Sequence, residues 1–160
     1  MGSRRDAREC ALQIVYLIDV CDIELEEAIK CVFSFHQNPE NTTHVMDQKT
    51  VDFTVSIVKG TVENMELIDK WIRKYAVNWE IERMATVDRC ILRMAICEFM
   101  TLLDVPINVV IDEAVELAKK FSTNDSSKFV NGILDKVKAV RGSKPEDKVV
   151  IDNGTINGQQ

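Results

Sequence analysis

The chain has 160 residues, 46% hydrophobic and 29% charged, with a formal net charge of -6 and a pI near 5.0. That supplies one apolar core, and the acidity excludes a protein that coats nucleic acid indiscriminately, because its long-range field opposes phosphate. Charge interrupts every apolar run well before the roughly 18 residues of a membrane span, and no charged-then-apolar leader opens the chain, so a cytoplasmic protein is expected.

Taken in chain order, the periodicity is helical almost throughout. Ala7, Ala11, Ile14, Val15 and Ile18 recur at three- and four-residue spacing, with Ser3 or its neighbours to cap the start and Arg5, Arg8, Glu9 and Asp19 on the opposite, wet face. Leu25, Ala28, Ile29, Val32 and Phe33 form a second amphipathic stretch. The polar run His36 to Asn41, with Pro39, reads as a loop.

A longer helix is expected from Asp47 to Leu67, burying Val51, Val55, Val58, Val62 and Met65, followed by a brief one from Ile68 to Asn78 that carries Trp71 and Tyr75. Helix resumes at about Glu80, lined by Ile81, Met84, Ile91, Leu92, Ala95, Ile96 and Phe99, and Pro106 ends it. Ile107, Val110, Ile111, Ala114, Leu117, Ala118 and Phe121 make the next stripe. The turn Ser122 to Asp125 offers caps for a last helix that buries Phe129 or Val130, Ile133, Leu134 and Val137. Beyond Arg141 the periodicity stops and a disordered tail over 142–160 is expected. The fold class is therefore all-α, six or seven helices in one domain over 1–141.

No phosphate loop, zinc helix, nucleophile elbow or dinucleotide turn occurs, so neither an enzyme nor a cofactor is expected. Cys10, Cys21, Cys31, Cys90 and Cys97 form no CxxC pair and read as reduced thiols, and His36 and His44 as solvated loop residues rather than metal ligands. Charge is distributed unevenly. Residues 117–141 hold six basic and two acidic residues, whereas 19–69 hold three basic and eleven acidic, so one region attracts polyanions that another repels.

Some groups suit single-stranded RNA. Arg4, Arg5 and Arg8 open the first helix, with Arg4 and Arg8 one turn apart. The last helix offers backbone N–H groups at Asn124 to Ser126, with Lys128 beside them, for a phosphate. Periodicity leaves Phe129 open between core packing and stacking on a base.

RRDARECALQIVY at 4–16, VDRCILRMAICE at 87–98, VPINVVIDEAVELAKKF at 105–121 and NDSSKFVNGILDKV at 124–137 resemble, in order and spacing, the NusB family of transcription antitermination factors. The resemblance implies a non-enzymatic helical adaptor. It would bind boxA-type RNA together with NusE, the small-subunit ribosomal protein, and join an RNA polymerase complex that suppresses termination, chiefly in ribosomal RNA transcription. Some members self-associate, so a homodimer is among the implied partners.

Carried over residue by residue, the family's RNA contacts fall on Arg4, Arg5, Arg8, Gln13, Tyr16, Tyr75, Asp125, Ser126, Lys128 and Phe129. This favours a stacking role for Phe129. The NusE-facing surface falls on Glu82 and Asp88, whose acidity suits a basic ribosomal protein. Asp6 stands where the family often has a third arginine and Ser127 where it usually has histidine, and each removes a contact to RNA. One alternative is the truncated RNA-binding domain of a ribosomal RNA cytosine-5 methyltransferase, and another is a helical adaptor that has lost RNA binding.

Overall fold

The computed structural model of the protein describes residues 3–41 and 45–142. His44 and residues 143–160 of the expected tail lie outside them. Among the described residues there are seven α-helices, two 3₁₀ turns and no strand. They fall into two compact units, Met1–Glu63 and Asn64–Gln160. No helix among them is long and apolar enough to cross a membrane.

In the first unit, α1 (Arg4–Cys21) begins at a reciprocal cap. The Ser3 hydroxyl accepts the Asp6 amide at 3.1 Å, and the Asp6 carboxylate accepts the Ser3 amide and hydroxyl, each at 2.9 Å. Asp6 therefore serves the start of the helix. Ala7, Ala11, Ile14 and Val15 are buried, as the spacing predicts, while Ile18 is half-buried and Cys10 joins the buried face. The helix ends where Asp22 turns left-handed at φ 51° and returns its amide to the Ile18 carbonyl.

Helix α2 (Leu25–Gln37) runs one residue past His36, a residue expected in a loop, and α3 (Gln48–Glu63) follows. The expected valine stripe of α3 is displaced: Thr50, Thr54, Ile57, Val58 and Thr61 are the buried residues, while Val51, Val55 and Val62 are half-buried. Threonine substitutes for valine there because each hydroxyl finds an acceptor. Thr54 donates to the Thr50 carbonyl at 2.8 Å, Thr61 to the Ile57 carbonyl at 2.7 Å, and Thr50 to the Asp47 carboxylate at 2.6 Å. Thr54 also reaches the Ala7 carbonyl of α1 at 3.3 Å, a close approach that the small Ala7 side chain permits.

The single helix expected from Asp47 to Leu67 is broken at Asn64, whose φ of -107° and ψ of 15° separate α3 from α4 (Met65–Tyr75). Helix does not resume at Glu80 either. A one-turn 3₁₀ segment, Ile81–Arg83, leads through extended backbone at Met84 and Ala85 into α5 (Thr86–Thr101). Ten consecutive positions of α5 from Cys90 to Phe99 are buried except Arg93, which marks it as the central element of the second unit. Arg93 forms a fork with Asp69 of α4, at 2.8 and 3.0 Å. With both side chains largely buried, this pair fixes the α4–α5 crossing.

Helices α6 (Ile107–Phe121) and α7 (Asn124–Val137) bury the expected stripes, with two exceptions: Ile107 is half-buried, and Phe121 is exposed, with the Lys120 ammonium 5.4 Å from its ring. The second 3₁₀ turn, Lys138–Gly142, brings Arg141 onto the end of α5. Its guanidinium donates to the carbonyls of Phe99 at 3.3 Å, Glu98 and Leu102 at 3.1 Å, and to that of Val105. These include the acceptors that a helix C-terminus leaves without partners. Cys10, Cys90 and Cys97 are buried, Cys21 and Cys31 exposed, and all five are free thiols. Burial pushes the Cys10 thiol up to about 12, so it stays protonated and inert.

Candidate nucleic-acid interface

Arg4, Arg5, Arg8, Gln13 and Tyr16 belong to the first unit. Arg4 and Arg5 are exposed in the first turn of α1. Arg8, expected on the wet face, is instead 3% exposed. Its guanidinium lies 5.4 Å from the centre of the Phe53 ring of α3, and that of Arg4 lies 4.7 Å from the same ring. The one-turn spacing of the two arginines thus serves to place them against one aromatic ring. A guanidinium is weakly hydrated and stacks on aromatic faces, which is why this position tolerates burial of a charge. Arg8 is consequently a poor candidate for direct phosphate contact and a good one for holding the α1–α3 packing.

Gln13 and Tyr16 are exposed three residues apart on α1. The Gln13 carboxamide oxygen lies 2.8 Å from His36 Nε2 at the end of α2, so the residue read as a loop histidine orients this side chain. With the carbonyl committed, the Gln13 amide is the group left to face a ligand.

Tyr75, Glu82, Asp88, Asp125, Ser126, Lys128 and Phe129 belong to the second unit. Tyr75 closes α4 half-buried, stacked on Trp71 with ring centres 6.2 Å apart, and Lys74 covers both rings. At the start of α7, Thr123 is the N-cap and its hydroxyl accepts the Ser126 amide at 3.0 Å. That N–H, expected to be available to a phosphate, is taken. Asp125 and Lys128 are exposed in the first two turns.

The Ser126 hydroxyl receives hydrogen bonds from Ser122 and Thr123 at 2.9 and 3.1 Å and donates to Asp88 Oδ2 at 2.8 Å. This chain ties the first turn of α7 to the first turn of α5. Asp88 is only 6% exposed, and its Oδ1 has no hydrogen-bond partner among the described residues. The residue expected to face a protein partner is therefore buried, held at one oxygen by the Ser126 hydroxyl. Glu82, its companion in that expectation, is exposed and paired with Arg73 at 2.9 Å. The hydrogen bond from Arg73 holds the Glu82 carboxyl below the usual carboxylate range.

Phe129 is half-buried, neither core nor free. Its ring meets that of Trp79 edge to face, with centres 5.1 Å apart and planes at 68°. Trp79 is 59% exposed. The two rings, with Arg83, Asp88 and Asp125, line a cavity of about 320 Å³. Trp79 was not singled out from the sequence, although a tryptophan in a short polar connection, outside any apolar period, is a usable signal for a binding residue.

The NusB family model matches residues 5–139. The transcription antitermination protein NusB of Symbiobacterium thermophilum is 41% identical over 149 residues, which cover 92% of this chain and 97% of that protein. Among solved structures, NusB of T. maritima matches with a TM-score of 0.76 at 32% identity, over 92% of this chain and 97% of that one. A chain from the crystal structure of antitermination factors NusB and NusE in complex with dsRNA matches with a TM-score of 0.74 at 26% identity, over 86% of this chain and 96% of that one.

Proposed function

Because the chain belongs to the NusB family, we propose that it acts as a transcription antitermination factor that binds boxA-type single-stranded RNA together with NusE. The observation that carries this reading is the likeness, over 86% of the chain, to a component of the NusB, NusE and dsRNA complex. In this role the protein is an adaptor. It joins the nascent RNA and the ribosomal protein to an RNA polymerase complex and suppresses termination, chiefly in ribosomal RNA transcription, in the cytoplasm.

The side chains divide the work by chemistry. Arg4, Arg5 and Lys128, all exposed, supply charge for phosphates. Trp79 and Phe129 supply an aromatic edge for unstacked bases. Glu82 supplies an acidic group for a basic protein partner, at the cost of sharing or displacing Arg73.

The test is a titration of labelled boxA-type RNA and a scrambled control, each with and without equimolar NusE, at two salt concentrations. Selective binding that strengthens with NusE is expected. Equal, weak binding of both RNAs in the presence of NusE refutes the proposal.

A further inference from the structure

The first unit carries a cleft of about 550 Å³ where the start of α1 meets the start of α3. Arg4, Lys49 and Phe53 line it, with Asp47 and Asp52. Its volume lies within the range that accepts a small ligand, so a nucleotide unit fits. Arg4 is exposed yet held 4.7 Å from the Phe53 ring centre, which leaves the side of the guanidinium away from the ring, and its in-plane N–H groups, for a ligand. Lys49, exposed in the first turn of α3, adds a second cation.

The two acids spend oxygens on α3 itself. Asp47 accepts the Thr50 amide and hydroxyl at 2.8 and 2.6 Å, and these bonds hold its carboxyl below the usual carboxylate range. Asp52 accepts the Gln48 carboxamide at 2.7 Å. With two cations and two carboxylates the cleft is close to neutral and attracts little from a distance. Its selectivity must come from short-range fit, and a cation stacked on a ring beside a second cation fits a group that is both flat and anionic.

We infer that this cleft takes one nucleotide of the bound RNA, its phosphate between Lys49 and Arg4 and its base against the Arg4 guanidinium. Phe53 is the positioning residue that holds the arginine in place. The inference rests on the RNA-binding reading above and adds Lys49 and Phe53 to it.

The experiment titrates fluorescein-labelled boxA-type RNA into the full chain with NusE across a salt series, and separately titrates NusE without RNA. Lys49→Ala, an exposed change that spares the fold, is expected to weaken RNA binding about threefold to tenfold and to lower the slope of log affinity against log salt by about 0.7. Phe53→Leu is expected to weaken RNA binding about fivefold, and Phe53→Tyr to restore it. NusE affinity should be unchanged in all three. Unaltered affinity and slope in Lys49→Ala, or a loss that appears equally in NusE binding, overturns the cleft assignment alone. Failure of the unsubstituted chain to bind boxA-type RNA overturns the functional reading with it.

Discussion

Asp88→Asn separates two roles that one carboxylate could serve, a brace between helices and a contact for a partner. In the structure Oδ2 accepts the Ser126 hydroxyl at 2.8 Å while Oδ1 is buried without a partner among the described residues. A hydrogen bond to a charged acceptor stabilises by about 1.5–3 kcal/mol, and an unsatisfied buried polar atom costs about 1–3 kcal/mol. The two terms nearly offset. In Asp88→Asn the carboxamide oxygen keeps the Ser126 bond and the charge leaves a buried position. Against that gain stands the loss of a negative charge at the third residue of α5, worth about 0.3–1 kcal/mol at a helix N-terminus.

The net expectation for Asp88→Asn is stability within about 1 kcal/mol of the parent, and NusE affinity within about twofold, because the group is buried. Asp88→Ala removes the brace as well, and a loss of about 1–2 kcal/mol is expected, about 2–8 °C in the thermal midpoint of a chain this long. Thermal denaturation followed by circular dichroism, with NusE titration of each variant, reads both quantities. A loss of more than about 2 kcal/mol in Asp88→Asn would refute the reasoning, since it would mean that the second oxygen has a partner that an amide cannot replace.

Three further outcomes are expected. Arg141→Lys should cost about 2–3 kcal/mol in denaturant unfolding, because one ammonium cannot serve the four carbonyls that the guanidinium reaches, and a midpoint equal to the parent's would exclude the clamp. Asp125→Asn should tighten RNA binding by about 1 kcal/mol, because an exposed carboxylate in the first turn of α7 repels phosphate from that helix end. Unchanged or weaker affinity would place the RNA elsewhere. Phe129→Ala should weaken RNA binding by about 1–3 kcal/mol, and Trp79→Ala, at the more exposed ring, by about 1 kcal/mol with little loss of stability; RNA affinities equal to the parent's in both would remove the aromatic edge from the interface.

The capping segments around Ser3 and over Ser122 to Asp125, and most of the apolar stripes of α1, α6 and α7, could be read directly from the chain, because caps and helical stripes are relations among residues three or four apart; the structure selects Ser3 and Thr123 as the caps. The all-helical class and the family resemblance follow from the same short-range order. Interruptions were harder to see. Asn64 and the Met84–Ala85 junction lie within apolar periods that continue across them, so periodicity alone ran one helix too far and began another too early.

Which charged and aromatic residues face outward was decided only by tertiary structure. Arg8 falls on the wet face by spacing and Asp88 on a partner surface by the family resemblance, yet one is drawn under Phe53 and the other is buried against the Ser126 hydroxyl. Trp79 stands exposed beside Phe129, fifty residues away in the chain. These placements depend on partners brought together from distant parts of the chain: a short window of sequence carries the periodicity of a helix, but the free energy of burying a charge or exposing a ring is set by what packs against it.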